Sequence, residues 1–239
     1  MFYPKKVVLV DLAYPYGKPK VYLNGSLITV AAQFMAAGNE VQILDLNLDS
    51  CGDEKVWETL ATADLIGVSV IGSPYIPSVL RFARQVWKIG VPVLMGGQVI
   101  ENLRPDQFSK IFSGTNAVQF HGPEDMADFP AAPEVSFIPV FEAMGKERLE
   151  VYLRHEMTLV LAQGCKYNCK FCAAKKAMRE QFRCLEVFEY DLKHLAIRAK
   201  QMGIGKLEFY ASSLDFFQNP LILAEYLKVL ARIQKDERI

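Results

Sequence analysis

Short apolar, β-branched runs alternate with segments of helical periodicity in the first half of the chain. Five runs are predicted to be strands, at residues 7–10, 41–44, 65–70, 91–95 and 117–120. Continuous apolar runs of this length are typical of strands buried on both faces of a parallel sheet. The pattern therefore predicts an α/β fold with a doubly wound, Rossmann-like parallel sheet, whose ligand crevice lies at the carboxyl ends of the strands.

Two helices are expected between these strands. One ends at Gly38, and the other begins near Pro77 and ends before Gly90, because proline favours the first helical turn and glycine the position after the last. The prolines after Phe129 interrupt the pattern, and we interpret that stretch as a linker.

A second unit follows the linker, with a predicted strand at 157–161, a long helix ending at Gly203, a strand at 206–210 and a helix beginning at Asn219–Pro220. The expected domains are therefore residues 1–129, a linker at 130–149, and residues 150–239.

Composition argues against some classes of binding partner and indicates a cellular compartment. The chain has 27 basic and 27 acidic residues, so no global charge favours nucleic acid or an anionic membrane surface. No apolar run approaches the roughly 18 residues of a membrane span. The cysteine count is odd, 5 in all, which suits metal ligation in a reducing compartment better than a disulfide framework. We expect a cytoplasmic protein.

Three cysteines, Cys165, Cys169 and Cys172, have the spacing Cys-x3-Cys-x2-Cys directly after a predicted strand. Iron–sulfur clusters ordinarily take four protein thiolates, and no fourth cysteine lies nearby. One iron would then keep a coordination position for another molecule. Zinc and chance clustering are the alternatives, although zinc requires four ligands and the nearest histidines are His155 and His194. Cys51 and Cys184 are interpreted as ordinary thiols.

This motif, with Phe171 before its last cysteine, resembles that of the radical S-adenosylmethionine (SAM) superfamily. The resemblance implies a 4Fe-4S cluster on the three cysteines, whose remaining iron chelates SAM. An electron from the cluster would cleave SAM to a 5′-deoxyadenosyl radical. It also implies that Phe171 lies beside the adenine, that Ser212 and Ser213 contact SAM, and that residues 150–239 form the first βα units of a radical SAM partial TIM barrel.

Small residues follow two of the predicted strands, in the stretches 69–73 and 96–98. Tight turns in any doubly wound domain would explain them equally well. They also resemble the Ser-x-Leu and Gly-Gly elements of cobalamin-binding domains, and residues 121–124 resemble the turn that closes such domains. The resemblance implies a cobalamin site formed by Ser69, Ile71, Gly72, Gly96, Gly97, Gln98, Gly122 and Glu124.

One position departs from the histidine-ligating cobalamin domains. Ala13 stands where those domains carry the histidine that binds cobalt. Alanine has no lone pair, so cobalt would be held without a histidine at that position.

The resemblance therefore implies a cobalamin-dependent radical SAM enzyme. The usual chemistry of that family is transfer of a methyl group to an unactivated carbon or phosphorus, here of a small-molecule or peptide substrate. Ring rearrangement or oxidation by the same radical is the alternative, since some relatives use it in that way. A flavodoxin or ferredoxin would supply electrons.

The alternative is a non-catalytic or incomplete chain that binds cofactors or transfers electrons and needs self-association or a second subunit. Its basis is length. Residues 173–239 follow the motif, and the resemblance implies a longer barrel, so its C-terminal part is expected to be missing.

Overall fold

The structure is a computed structural model that describes residues 4–16, 21–120, 125, 128–167, 169–170, 180–212 and 217–237. The strands are β1 (Lys6–Asp11), β2 (Glu40–Asp45), β3 (Leu65–Ser69), β4 (Val93–Gly96), β5 (Ala117–Gln119), β6 (Met157–Val160), β7 (Ala162–Gln163), β8 (Gln181–Phe182) and β9 (Phe209–Ser212). The helices are α1 (Gly25–Ala36), α2 (Glu54–Ala61), α3 (Ile76–Trp87), α4 (Gln98–Glu101), α5 (Pro105–Ile111), α6 (Ile138–Ala143), α7 (Lys146–Leu153), α8 (Leu185–Gln201) and α9 (Pro220–Glu237).

The chain divides into two compact units. The first contains residues 1–20 and 34–129, and the second contains residues 21–33 and 130–239. Segment 21–33 belongs with the second unit because it is bonded within it: Thr158 Oγ1 donates to the Leu23 carbonyl, and Gln33 Nε2 donates to the Pro130 carbonyl over 3.0 Å. The hydrophobic pattern of the sequence does not indicate this grouping.

The first unit is built on a five-stranded parallel sheet of order β2-β1-β3-β4-β5. Strand β1, which lies between β2 and β3, is almost inaccessible from Val7 to Val10. Gly67 of β3 allows close packing here, since a Cβ at that position would lie 2.5 Å from Leu9 Cδ2. The five strands and the doubly wound parallel sheet predicted from the sequence are confirmed.

Three helices of the first unit, α2, α4 and α5, are not predicted by the sequence pattern. Helix α2 has only eight residues and buries only Val56 and Leu60, too few to establish a helical period. Its start is nevertheless defined by Asp53, whose carboxylate accepts the Lys55 backbone N–H at 2.9 Å.

The second unit contains the parallel pair β6–β9 and the short antiparallel pair β7–β8. Helices α8 and α9 pack with β6 around a core that includes Leu159, Phe188 and Tyr226. Strand β9 begins at Phe209, later than the predicted residue 206, because Lys206 and Glu208 are exposed and pair with each other at 2.7 Å. Helix α9 begins where predicted, with Asn219 Oδ1 accepting the Ile222 N–H at 3.3 Å.

The segment predicted as a linker contains helix α6 and the beginning of α7. Pro139 lies in the first turn of α6, where the missing N–H is not needed. Val140, Phe141 and Leu149 are buried. In this stretch the prolines mark a helix start. Among the helices that the structure describes, none is long and apolar enough to cross a bilayer.

A buried carboxylate forms hydrogen bonds that connect this segment to the rest of the second unit. Asp191 of α8 accepts hydrogen bonds from Ser136 Oγ at 2.6 Å and from the Phe137 N–H at 2.8 Å. It also accepts from the guanidinium of Arg183, and both side chains are about 5% exposed or less. The carboxylate therefore joins three separate stretches of chain.

The guanidinium has further partners. It stacks over the Phe137 ring, 3.6 Å from the ring centroid, and donates to the Val135 carbonyl at 3.2 Å. Burial lowers the pKa of Arg183, while the Asp191 carboxylate opposes that shift. The Tyr226 hydroxyl donates to the Arg183 carbonyl, and burial raises the pKa of Tyr226 to about 12, so the phenol keeps its proton.

We expect Asp191→Ala to lower the free energy of unfolding by about 3–5 kcal/mol, because it leaves the Arg183 charge buried without its partner. Urea unfolding followed by circular dichroism measures this change. The matched control is Glu225→Ala, which removes the exposed Glu225–Lys228 pair and should cost less than about 1 kcal/mol. Equal stability of the two variants would contradict the prediction.

Candidate functional site

The predicted cobalamin residues of β3 and β4 meet at the carboxyl edge of the first sheet. Ser69 and Gly96 end these neighbouring strands in register, and the Val70 N–H donates to the Gly96 carbonyl at 2.8 Å. Beyond them, Ile71 is 44% exposed and Gly72 leads into a 3-10 turn. Because the strand order reverses between β1 and β3, this edge is the topological switch point of the sheet, where doubly wound folds bind their ligands.

Packing within the chain itself explains why two of these positions are glycine. Gly97 has φ +96°, and a Cβ there would lie 2.7 Å from the Val70 carbonyl oxygen. A Cβ on Gly96 would lie 2.9 Å from the Phe120 ring. At Gly72 the nearest atom to such a Cβ is in Pro74, at 3.3 Å. Chain packing therefore explains Gly96 and Gly97 without a ligand, and at Gly72 a Cβ would make a milder but still tight contact.

Of the remaining residues predicted to bind cobalamin, the structure describes only Gln98. Gln98 is the first residue of α4, and Gly97 precedes it. Helix α4 is held to the sheet by Gln119 of β5, whose amide donates to the carbonyls of Ile100 and Leu103 at 2.8 and 2.9 Å. Gly122 and Glu124 lie outside the described residues.

Three tyrosines at the same edge are missed by sequence reasoning. Tyr14 packs edge to face against Tyr16 and Tyr75, with ring centroids 6.4 and 6.3 Å apart. Burial, the Asp11 carboxylate and Tyr14 raise the pKa of Tyr75, which keeps it neutral. Tyr14 and Tyr16 are 43% and 62% exposed. The signal in the sequence is the Tyr-Pro-Tyr that follows β1 and Ala13.

The cysteine motif of the second unit lies on a loop with a defined base. Strands β7 and β8 pair antiparallel, with Ala162 opposite Phe182 and Gln163 opposite Gln181. Residues 164–180 connect them, so the two ends of the loop are held together. Gly164, directly before the first cysteine, has φ +75°, a conformation that favours glycine.

The two cysteines of the motif that the structure describes are free thiols. Cys165 and Cys169 are both partly exposed, and the Tyr167 N–H approaches Cys165 Sγ at 3.5 Å. Cys172 and Phe171 lie outside the described residues. No group of three or more His, Cys, Asp or Glu side chains is assembled within the described part of the chain. Accessible thiols on one loop are nevertheless the donor chemistry that an iron–sulfur cluster requires.

The other cysteines have separate surroundings. Cys184 precedes α8, and its thiol donates to the Glu186 carboxylate at 2.9 Å, which lowers the pKa of Glu186. Cys51 is exposed in the first unit, and its carbonyl accepts from Trp57 Nε1 at 2.8 Å. These two thiols serve as controls for the motif.

Ser212, predicted to contact SAM, is the last residue of β9. It pairs in register with Val160, the end of β6, and its carbonyl accepts the Leu161 N–H at 3.1 Å. The chain continues from Leu161 through β7 to the cysteine loop, so Ser212 lies at the strand edge from which that loop departs. Ser213 lies outside the described residues.

Comparison with known proteins finds a family match in the first half of the chain. Residues 25–123 match the family model of the B12 binding domain. Over these residues the chain is similar to B12-binding domains. No curated protein matches the chain.

Solved structures match nearly the whole chain. The radical S-adenosylmethionine methyltransferase TsrM from Kitasatospora setae superimposes with a TM-score of 0.67 at 18% identity, covering 97% of this chain and 52% of TsrM. The cobalamin-dependent S-adenosylmethionine radical enzyme OxsB superimposes with a TM-score of 0.63 at 15% identity, covering 95% of this chain and 37% of OxsB. At such identities the similarity establishes the fold, and the chain spans about half of TsrM and less of OxsB.

Anaerobic reconstitution should give about four irons per chain, the content of one cubane cluster. Cys165→Ala, Cys169→Ala and Cys172→Ala should each abolish this content because each removes a thiolate. Cys51→Ala and Cys184→Ala should retain it. Iron analysis with the visible absorption spectrum measures the outcome. Stoichiometric zinc without a charge-transfer band would contradict the expectation.

Proposed function

We propose that this chain binds cobalamin through its first unit and a 4Fe-4S cluster with SAM through its second, and that it acts in methyl transfer to an unactivated centre of a small-molecule or peptide substrate. The proposal is carried by the occurrence of two features in one chain. A B12-binding-type domain is followed by a cysteine loop at the strand edge of a parallel β pair. TsrM, which has the same fold over this length, is a methyltransferase with cobalamin and a [4Fe-4S] cluster bound.

In the first unit, the carboxyl edge of β1, β3 and β4 would receive the corrin ring. Ile71 presents an exposed apolar side chain there, and Gly72 follows it without a side chain of its own. Tyr14 and Tyr75 offer aromatic faces and edges beside that position. Bound cobalamin supplies a transferable methyl group. These residues would orient the cofactor and exclude water from the side of it that they contact.

In the second unit, the thiolates of Cys165, Cys169 and Cys172 would hold the cluster, which supplies the electron that cleaves SAM. The antiparallel stem β7–β8 keeps the ends of the loop together. Ser212, at the adjacent strand end, would orient SAM. Phe171 and Ser213 complete the proposed SAM contacts. A flavodoxin or ferredoxin is the proposed electron donor.

A second candidate is a chain that binds the cofactors and needs another polypeptide to complete the active site. Strand β9 is the edge in question, because among the described strands it pairs with β6 alone. Tyr210 of β9 is 56% exposed, and Leu221 at the start of α9 is 81% exposed. An unpaired strand edge beside apolar side chains favours pairing with a further strand.

The Co(II) form of bound cobalamin should show no nitrogen superhyperfine splitting from a protein imidazole. The reason is that Ala13 has no lone pair to bind cobalt and that no histidine precedes His121 in the chain. Paramagnetic resonance measures the splitting, and His121→Ala should leave the spectrum unchanged. An imidazole splitting that disappears in His121→Ala would contradict the ligation argument, and absence of binding would remove cobalamin from the proposal.

Light scattering combined with a SAM cleavage assay separates the two candidates. If β9 needs a further strand, the purified chain should self-associate or cleave SAM only slowly. Tyr210→Lys should then reduce association, because a charged edge residue opposes strand pairing. A cooperatively folding monomer that cleaves SAM at the rates of complete enzymes would exclude the incomplete-chain candidate.

A further inference from the structure

The segment before α9 contacts the cysteine loop through one buried side chain. Gln218 is only 3% exposed, although its neighbour Phe217 is 73% exposed. Its side-chain oxygen Oε1 accepts the Lys166 backbone N–H at 3.3 Å, and its own backbone carbonyl accepts from Lys166 Nζ. Two contacts therefore join Lys166, the residue directly after Cys165, to Gln218, which is 52 positions further along the chain.

The nitrogen of the same amide is buried and has no partner. Gln218 Nε2 is inaccessible to solvent and makes no hydrogen bond within the part of the chain that the structure describes. A buried amide donor that makes no hydrogen bond is destabilising, because it has lost its bonds to water without replacing them. Exchanging the amide oxygen and nitrogen does not remove the problem, because Nε2 would then face the Lys166 N–H, a second donor. The orientation with Oε1 toward Lys166 is therefore the one that the contacts require.

The loop beside this amide carries the cysteines. Cys165 precedes Lys166, and Cys169 follows three residues later. Because Oε1 and Nε2 are bonded to the same carbon, Nε2 lies close to the atom that accepts from Lys166, the residue after Cys165. Thiolate and sulfide sulfurs accept hydrogen bonds, and such bonds are among the determinants of the reduction potential of an iron–sulfur cluster.

We propose that Gln218 is a positioning residue for the iron–sulfur cluster: Oε1 fixes the Cys165–Lys166 peptide, and Nε2 donates a hydrogen bond to a cluster sulfur. The inference rests on the cluster of the proposed function. It assigns two separable tasks to the two ends of one amide. The oxygen sets the position of the first thiolate, and the nitrogen stabilises the more negative, reduced state of the cluster.

Pulsed paramagnetic resonance of the reduced, reconstituted chain in D2O tests the donor. The wild type should show an exchangeable deuteron coupled to the cluster that is absent in Gln218→Leu and in Gln218→Glu. The midpoint potential of Gln218→Leu should be more negative than that of the wild type, because a hydrogen bond to sulfur is lost. The matched control is Gln181→Leu, an exposed glutamine on the stem of the same loop, which should retain both the coupling and the potential.

Iron retention during gel filtration tests the acceptor. Gln218→Leu should lose iron about tenfold more readily, which is the lower end of the effect of outer-shell partners on metal affinity. Gln218→Glu keeps an oxygen for the Lys166 N–H and should recover most of the retention without recovering the deuteron coupling. Thermal unfolding of the variants before reconstitution shows that the fold is kept, and Gln218→Glu carries the donor test if Gln218→Leu does not fold.

The outcomes separate the inference from the function on which it rests. A wild-type chain that takes up no cluster overturns the proposed function and the Gln218 assignment together. A wild-type cluster whose deuteron coupling and iron retention are unchanged in Gln218→Leu overturns the Gln218 assignment alone. Loss of iron retention with an unchanged coupling shows a structural role only and overturns the hydrogen bond to sulfur.

Discussion

The carboxylate of Asp191 is the interaction on which the second unit depends. It is buried on α8 and accepts from Ser136, from the Phe137 backbone and from Arg183. A charge in that position is tolerable only when all of its partners are in place. Because Arg183 directly follows β8, the same ion pair fixes the returning side of the stem that carries the cysteine loop. The position of a candidate cluster site thus depends on a charge pair outside the loop itself.

Both candidate sites use the same property of parallel strands. Neighbouring parallel strands end at one edge, so residues distant in sequence become neighbours there. In the first unit, Ser69 and Gly96 end β3 and β4 in register, and Tyr14 and Tyr75 meet beside them. In the second, Ser212 ends β9 beside the strand that leads to the cysteines. The sheets provide position, and the connecting loops provide the chemistry.

Buried polar groups connect each site to its scaffold in a different way. Gln119 of β5 donates from its amide nitrogen to the carbonyls of Ile100 and Leu103, and so holds α4 against the sheet. Gln218 pairs its amide oxygen, while its amide nitrogen has no partner among the described residues. The contrast between an amide nitrogen that is already donating and one that is not distinguishes a structural support from a group that still has a donor to offer.

The sequence by itself determined the five-stranded parallel sheet, the start of α9 at Asn219–Pro220 and the cysteine spacing, because apolar periodicity, helix caps and ligand spacing are local properties. It missed α2, α4 and α5, which bury too few side chains to establish a period, and it misread the prolines around α6. Only the tertiary structure decided that Tyr14 meets Tyr75, that residues 21–33 pack with the second unit, and that Gln218 lies against Lys166. Lys166 and Gln218 are 52 positions apart in the sequence, and Leu23 and its partner Thr158 are 135 positions apart. No local pattern encodes which distant partner a buried polar group will find.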